Sequence, residues 1–184
     1  MSKQSPVARL KKALKAEQLV RIERSLRNAD RVEGFVLGLG TKWALIAATR
    51  DGGFLDGLAA VRIRDVSAVE RNTSFEERFA KTLANWPPTA PDVDLDETAA
   101  LLRGLGSASP LISIGQEGRY KFDGRWIGVI DDVEGGHLWL REVRPDATWK
   151  SEPLGYKLNR ITYVETGSAY LTGLNAIAGR PGQA

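Results

Sequence analysis

The chain has 184 residues and contains no cysteine, one histidine and one methionine. Without cysteine there are no disulfides, no thiol nucleophile and no thiolate-held zinc. A single histidine excludes metal sites that need several imidazoles. Residues 1–31 hold no long apolar run, so neither a signal peptide nor a membrane span is expected, and a cytoplasmic location is the default expectation. Hydrophobic residues are not among the things missing. Hydrophobic residues make up 42% and charged residues 27%, which is the composition of a folded protein rather than a disordered tail. The length suits one domain or two small ones, either able to bury a core.

An excess of one sign of charge is also nearly absent overall, with 26 Lys/Arg against 23 Asp/Glu. Its distribution is uneven. Residues 1–90 carry 16 basic and 10 acidic residues, net +6, and residues 91–184 carry 10 and 13, net −3. Lys3, Arg9, Lys11, Lys12 and Lys15 come before any acidic residue. Such a run is either the solvated face of a helix or a basic arm for nucleic acid or an acidic partner.

What the sequence does have is an internal repeat. Leu19-Val20-Arg21-Ile22 matches Leu111-Ile112-Ser113-Ile114, 92 residues later, and Arg31-Val32-Glu33-Gly34-Phe35-Val36 matches Arg125-Trp126-Ile127-Gly128-Val129-Ile130, 94 later. Leu45 is matched to Leu140, Val61 and Ile63 to Tyr156 and Leu158, and Val66, Val69 and Glu70 to Ile161, Val164 and Glu165, all 95 later. A slow drift in spacing is what small loop insertions produce.

Each half reads as one series of elements. A helix opens at Ser5-Pro6, with Val7, Leu10 and Leu14 on one face; its counterpart opens at Asp94, with Glu97 completing a capping box and Gly104 as the stop. Continuing the first helix through Leu26 would swing its apolar face by about 120°, so a break near Glu17 is expected. β-runs follow at 19–24 and 111–117. Paired strands follow at 31–38 with 42–49, and at 125–131 with 137–143, joined through Gly38 and Gly40 or Gly135-Gly136. Shorter strands are expected around Val61 and Ile63 and over 66–70, then over 155–158 and 161–165. Each half closes with a helix, one capped by Ser74 and Glu77 with Phe75, Phe79 and Leu83 inward, the other with Tyr170, Leu174 and Ile177 inward. The three prolines of Asn85-Trp86-Pro87-Pro88-Thr89-Ala90-Pro91 mark a linker. Gly34 and Gly128 sit where a strongly bent strand needs them.

One helix and five bent strands, occurring twice, resemble the Sm-like variety of SH3-like barrel. The phrases Leu19-Val20-Arg21-Ile22-Glu23-Arg24, Leu55-Asp56-Gly57, Arg62-Ile63-Arg64-Asp65-Val66 and Ile161-Thr162-Tyr163-Val164 also resemble a family of bacterial proteins without an assigned activity. The resemblance spans most of residues 17–178 and implies a fold rather than a reaction. RNA-binding Sm-like proteins use an Asp and an Asn near the second and third strands and a basic-Gly turn between the last two. Here those places read Gly40-Thr41-Lys42-Trp43 with Arg64-Asp65, and Gly136-His137-Leu138 with Asn159-Arg160. The uridine-type pocket therefore does not carry over.

Catalytic patterns are scarce. His137 stands beside no nucleophile and base pattern, and no Gly-x-Ser-x-Gly elbow is present. Asp92, Asp94, Asp96 and Glu97 alternate like a calcium loop but lack its Gly and its terminal Glu, so they read as an acidic helix start. Asp131-Asp132 before Gly135-Gly136 reads as turn chemistry. Gly38-Leu39-Gly40-Thr41-Lys42 lacks the P-loop pattern and reads as a hairpin turn. Arg119-Tyr120-Lys121-Phe122 interleaves bases and aromatics, either as a stacking surface or as a strand with Tyr120 and Phe122 in the core. Trp43, Trp139 and Trp149 read as core.

The sequence thus predicts a mainly β (α+β) protein of two tandem five-stranded Sm-like/SH3-like barrels with flanking short helices. The repeats are placed at 1–84 and 94–179, with a linker at 85–93 and a tail at 180–184. The expected role is a non-enzymatic interaction protein with no cofactor, no metal, no membrane contact and no small-molecule substrate. Its expected partner is a protein or a second copy meeting exposed strand edges. RNA or single-stranded nucleic acid is the alternative. The candidate contacts are Lys11, Lys12, Lys15, Arg62, Arg64, Arg119, Lys121 and Arg160.

Overall fold

A computed structural model describes residues 4–118 and 124–182. Helix α1 spans Pro6–Ala16; the Ser5 hydroxyl accepts from the Ala8 N–H at 3.2 Å, and Pro6 occupies a position whose missing N–H costs nothing. It ends where expected, at Glu17, whose φ of 47° is left-handed. Strands β1 (Leu19–Arg24), β2 (Val32–Leu39), β3 (Trp43–Arg50), β4 (Phe54–Arg62) and β5 (Val66–Arg71) follow, then the short helix α2 (Glu76–Ala80). The second half repeats the order with α3 (Thr98–Ala108), β6 (Ile112–Gly115), β7 (Arg125–Glu134), β8 (His137–Glu142), β9 (Leu154–Lys157), β10 (Tyr163–Thr166) and α4 (Ala169–Ala178). A 3-10 turn, Ile63–Asp65 or Leu158–Arg160, precedes the last strand of each half.

The strands form one antiparallel sheet in the order β5-β1-β2-β3-β4-β10-β6-β7-β8-β9. The chain is thus mainly β with helices added, an α+β protein, and its sheet stays open, with β5 and β9 at the two ends. The ladders carry the repeat in detail. Val20 pairs with Gly34 and Ile112 with Gly128; Ile46 pairs with Val36 and Leu140 with Ile130; Ile22 pairs with Val69 and Ile114 with Val164. These registers superpose under shifts of 92 for β1, 94 for β2 and β3, and 95 for β4 and β5. Even the bulge recurs, between Val36 and Gly38 and between Ile130 and Asp132. Leu45 is thereby the counterpart of Trp139 rather than of Leu140. Gly34 and Gly128 have one cause. A Cβ on either would lie 2.1 Å from a carbonyl oxygen of the neighbouring strand, Ala47 or Arg141.

Several local expectations need correction. Helix α3 begins after Glu97 and runs through Gly104, because Asp94 accepts from the Asp96 N–H at 2.7 Å in an Asx turn instead of capping the helix. Around α2, Ser74 accepts from the Glu76 N–H, while Glu77 turns away to accept from the Leu19 N–H at 3.0 Å. Phe75 is left 60% exposed. On α4 the buried residue is Leu171, and Tyr170 and Ile177 face outward. Trp43 is core, but Trp139 is exposed. Strand β4 begins at Phe54, well before Val61.

Candidate interaction surface

The two halves meet where β4 pairs with β10, Val61 opposite Tyr163, Ala60 opposite Val164 and Ala59 opposite Glu165. Both strands are buried there; Ala59, Ala60, Val61 and Val164 have no exposed surface. The backbone ladder is reinforced by side chains that cross it. Arg62, 6% exposed, donates through Nε to the Ile161 carbonyl at 2.5 Å and through Nη2 to the Leu158 carbonyl at 2.7 Å. Its guanidinium lies 4.8 Å from the centre of the Trp43 ring. Trp43 in turn donates through Nε1 to Thr98 Oγ1 at 3.1 Å and through its N–H to the Leu95 carbonyl at 3.0 Å. Lys42 pairs with Glu97 at 2.6 Å, and Asp56 accepts from the Ala169 N–H at 2.7 Å. The turn between β2 and β3 therefore grips the segment leading into α3.

A buried ionic group lies on the same seam. Arg24 Nη2 is 2.9 Å from Glu117 Oε1 and also donates to the Asp30 carbonyl. Both side chains are essentially without exposed surface. The Thr162 hydroxyl donates to Glu117 Oε2, and Arg125 lies over the Tyr163 ring at 3.9 Å and 3.7 Å from Glu117. Burial pushes the Glu117 carboxyl up, but the hydrogen bond and charge of Arg24, with Thr162 and Arg125, outweigh it and hold the group below its ordinary value. Burial, with Glu165 adding to it, raises the Tyr163 phenol. Both groups are thus held away from proton exchange near neutral pH. The cluster connects Arg24, at the end of β1 in one half, with Glu117, Thr162 and Tyr163 of the other, beside the ends of β6 and β10.

The two ends of the sheet have no strand partner among the described residues. Asn72 donates its N–H to the Leu19 carbonyl at 2.9 Å. Antiparallel alternation then turns the backbone groups of Val69 and Arg71 away from β1, toward the open side. Arg9 of α1 reaches across and donates through Nη1 to the Val69 carbonyl at 2.9 Å. Shallow clefts of about 260 and 280 Å³ lie along this edge, lined by Gln4, Arg9 and Val69 in both. At the other end, Leu154, Gly155 and Lys157 of β9 are exposed.

The basic residues picked from the sequence are scattered over these features. Lys11, Lys12 and Lys15 are exposed on α1 and have no ion-pair partner among the described residues. Arg62 is in the seam, with Nε and Nη2 bonded to carbonyls of the second half. Arg64 is exposed, 3.6 Å from Asp65. Arg160 is exposed at the end of the 3-10 turn after β9. Arg119 and Lys121 lie outside the described residues. His137 Nδ1 is 2.9 Å from the Gly135 carbonyl, Asp131 pairs with Arg141 at 3.2 Å, and Asp132 accepts from its neighbour's N–H, all within the β7–β8 hairpin. Asp96 is held below its ordinary pKa by the Thr41 N–H and hydroxyl, and Glu97 by Lys42. Among the described residues no three His, Asp or Glu side chains converge as a metal site, and no helix is long and apolar enough to cross a membrane. Arg24, Asp56 and Glu117 were not singled out as contacts by the sequence, and Arg9 only as one member of the basic run. The one available signal was their place at positions that the repeat leaves unmatched in charge, such as Arg9 against Leu101.

No family model, no curated protein and no solved structure matches the chain.

Proposed function

We propose that this is a non-enzymatic interaction protein built from two Sm-like halves, and that it assembles with further copies of itself by pairing β9 of one copy with β5 of the next. One observation carries the reading. The β4–β10 junction already joins the fourth strand of one half to the fifth strand of the other, and the same two kinds of strand, β9 and β5, stand at the ends without a strand partner among the described residues. Moving the internal register by 95 on both sides sets Val69 opposite Gly155 and Glu70 opposite Leu154. Such a head-to-tail contact uses different surfaces on the two partners, so repeated pairing closes a ring or extends a filament. The strand order repeated in each half supports the Sm-like assignment. Sedimentation velocity across a wide concentration range tests assembly. Species at whole multiples of 20.1 kDa are expected, and a strict monomer at every concentration sinks the reading.

A second reading is RNA or single-stranded nucleic acid held at α1. Its support is the run of exposed Lys11, Lys12 and Lys15, without an ion-pair partner among the described residues. Binding through phosphate contacts falls steeply with salt. Lys11→Glu with Lys12→Glu should then weaken retention on mixed RNA, and no retention of the wild type at low salt excludes it.

A further inference from the structure

The two fifth strands, β5 and β10, belong to halves that open with equivalent helices, and those helices differ in one respect that bears on pairing. Helices α1 and α3 are both 11 residues long and are related by the shift of 92, which sets Arg9 equivalent to Leu101. Val69 of β5 is equivalent to Val164 of β10. At the paired edge, Leu101 is fully buried in one apolar cluster with Val164 and Ala60, the residue opposite Val164 on β4. At the unpaired edge, the helix supplies a guanidinium that binds the Val69 carbonyl.

We propose that Arg9 is a gate on the β5 edge, occupying the carbonyl that an incoming strand needs and yielding only when that strand displaces it. This rests on the self-association reading above. Val69 lies near the middle of the outward-facing backbone, so a strand in the internal register needs its carbonyl. Arg9 lines both clefts along this edge, with Gln4 beside it in each, and its guanidinium reaches the Val69 carbonyl between them. A charged donor at a sheet edge is a recognised way to keep that edge from pairing indiscriminately. The bond it makes is charge-assisted and therefore among the stronger ones.

Sedimentation velocity of the wild type, Arg9→Leu and Arg9→Ala tests this, with circular dichroism confirming that all three are folded. Arg9→Leu places here the residue that α3 carries at the equivalent position. It should tighten self-association by about tenfold, the factor that about 1.4 kcal/mol represents, and Arg9→Ala by less. If the wild type associates and neither variant associates more tightly, the gate is overturned and self-association stands. If none of the three associates up to roughly 1 mM, a concentration that detects even contacts of about 4 kcal/mol, self-association is overturned and the gate falls with it.

Discussion

Replacing Arg62 by alanine tests how the two halves are held. The side chain makes two hydrogen bonds to carbonyls of the second half and stacks on Trp43, while being 6% exposed. A hydrogen bond involving a charged group contributes about 1.5–3 kcal/mol, and a partly desolvated guanidinium over an indole about 1–2 kcal/mol. The opposing term is the burial of the charge, which lowers the Arg62 pKa, with Arg64 adding to the effect. Removing the side chain relieves that cost. It also takes a donor from the Leu158 carbonyl, which keeps only the Ile161 N–H at 3.3 Å. The expected net loss is about 2–4 kcal/mol, or roughly 4–16 °C in Tm for a chain of this size. Urea denaturation followed by tryptophan fluorescence and by circular dichroism measures it. Arg62→Met keeps the stem and loses the donors, so it should fall close to alanine. The exposed Arg64→Ala should stay within about 0.5 kcal/mol of wild type. A loss below about 0.5 kcal/mol for Arg62→Ala would refute the reasoning, because Arg62 would then contribute nothing measurable to the seam.

Two further predictions concern the strands and the buried pair. Gly34→Ala and Gly128→Ala should each cost about 2–4 kcal/mol, since a Cβ at 2.1 Å from a carbonyl forces two strands apart; similar stability for either variant by urea denaturation would count against the close crossing. Glu117→Gln should cost about 3 kcal/mol at pH 7, by leaving Arg24 buried without its counter-charge. Because the folded carboxyl sits below its ordinary pKa, its contribution is complete above about pH 4.3 and is lost as the pH falls through the folded value. The gap between wild type and Glu117→Gln should therefore narrow on acidification, and a gap that does not change with pH would argue against the ion pair.

Much of the fold was legible because the repeat is written in side chains. Leu19, Ile22, Val36 and Val69 are core, and the shifts read between their counterparts are the shifts of the ladders. The joining of the halves was not legible, because strand edges pair through backbone groups that any residue supplies. Arg62 illustrates the consequence. In Val61-Arg62-Ile63-Arg64 it alternates as an outward residue, and it does leave its own half's core, but into the seam with the other half. The inward face of helix α4, apart from Leu174, was misassigned for a different reason. Ala-Tyr-Leu-Thr-Gly-Leu-Asn-Ala-Ile-Ala, residues 169–178, is apolar on most faces, so the pattern alone does not choose Leu171 over Tyr170 and Ile177. At the acidic run, Asp94 could cap either a helix or a turn, and Lys42 and Thr41, 55 residues away from Glu97 and Asp96, favour the turn.

The absence of cysteine makes the central claim directly measurable. Glu70 bonds toward β1, so opposite a partner strand it occupies a non-hydrogen-bonded position, where Cα atoms lie about 4.5 Å apart, within disulfide range. Glu70→Cys and Leu154→Cys, made as separate single-cysteine chains, mixed and mildly oxidised, should give a heterodimer in high yield. Glu70→Cys mixed with Lys157→Cys, three residues out of register, should not. Equal cross-linking in both mixtures, or none in the first, would contradict pairing of β9 with β5.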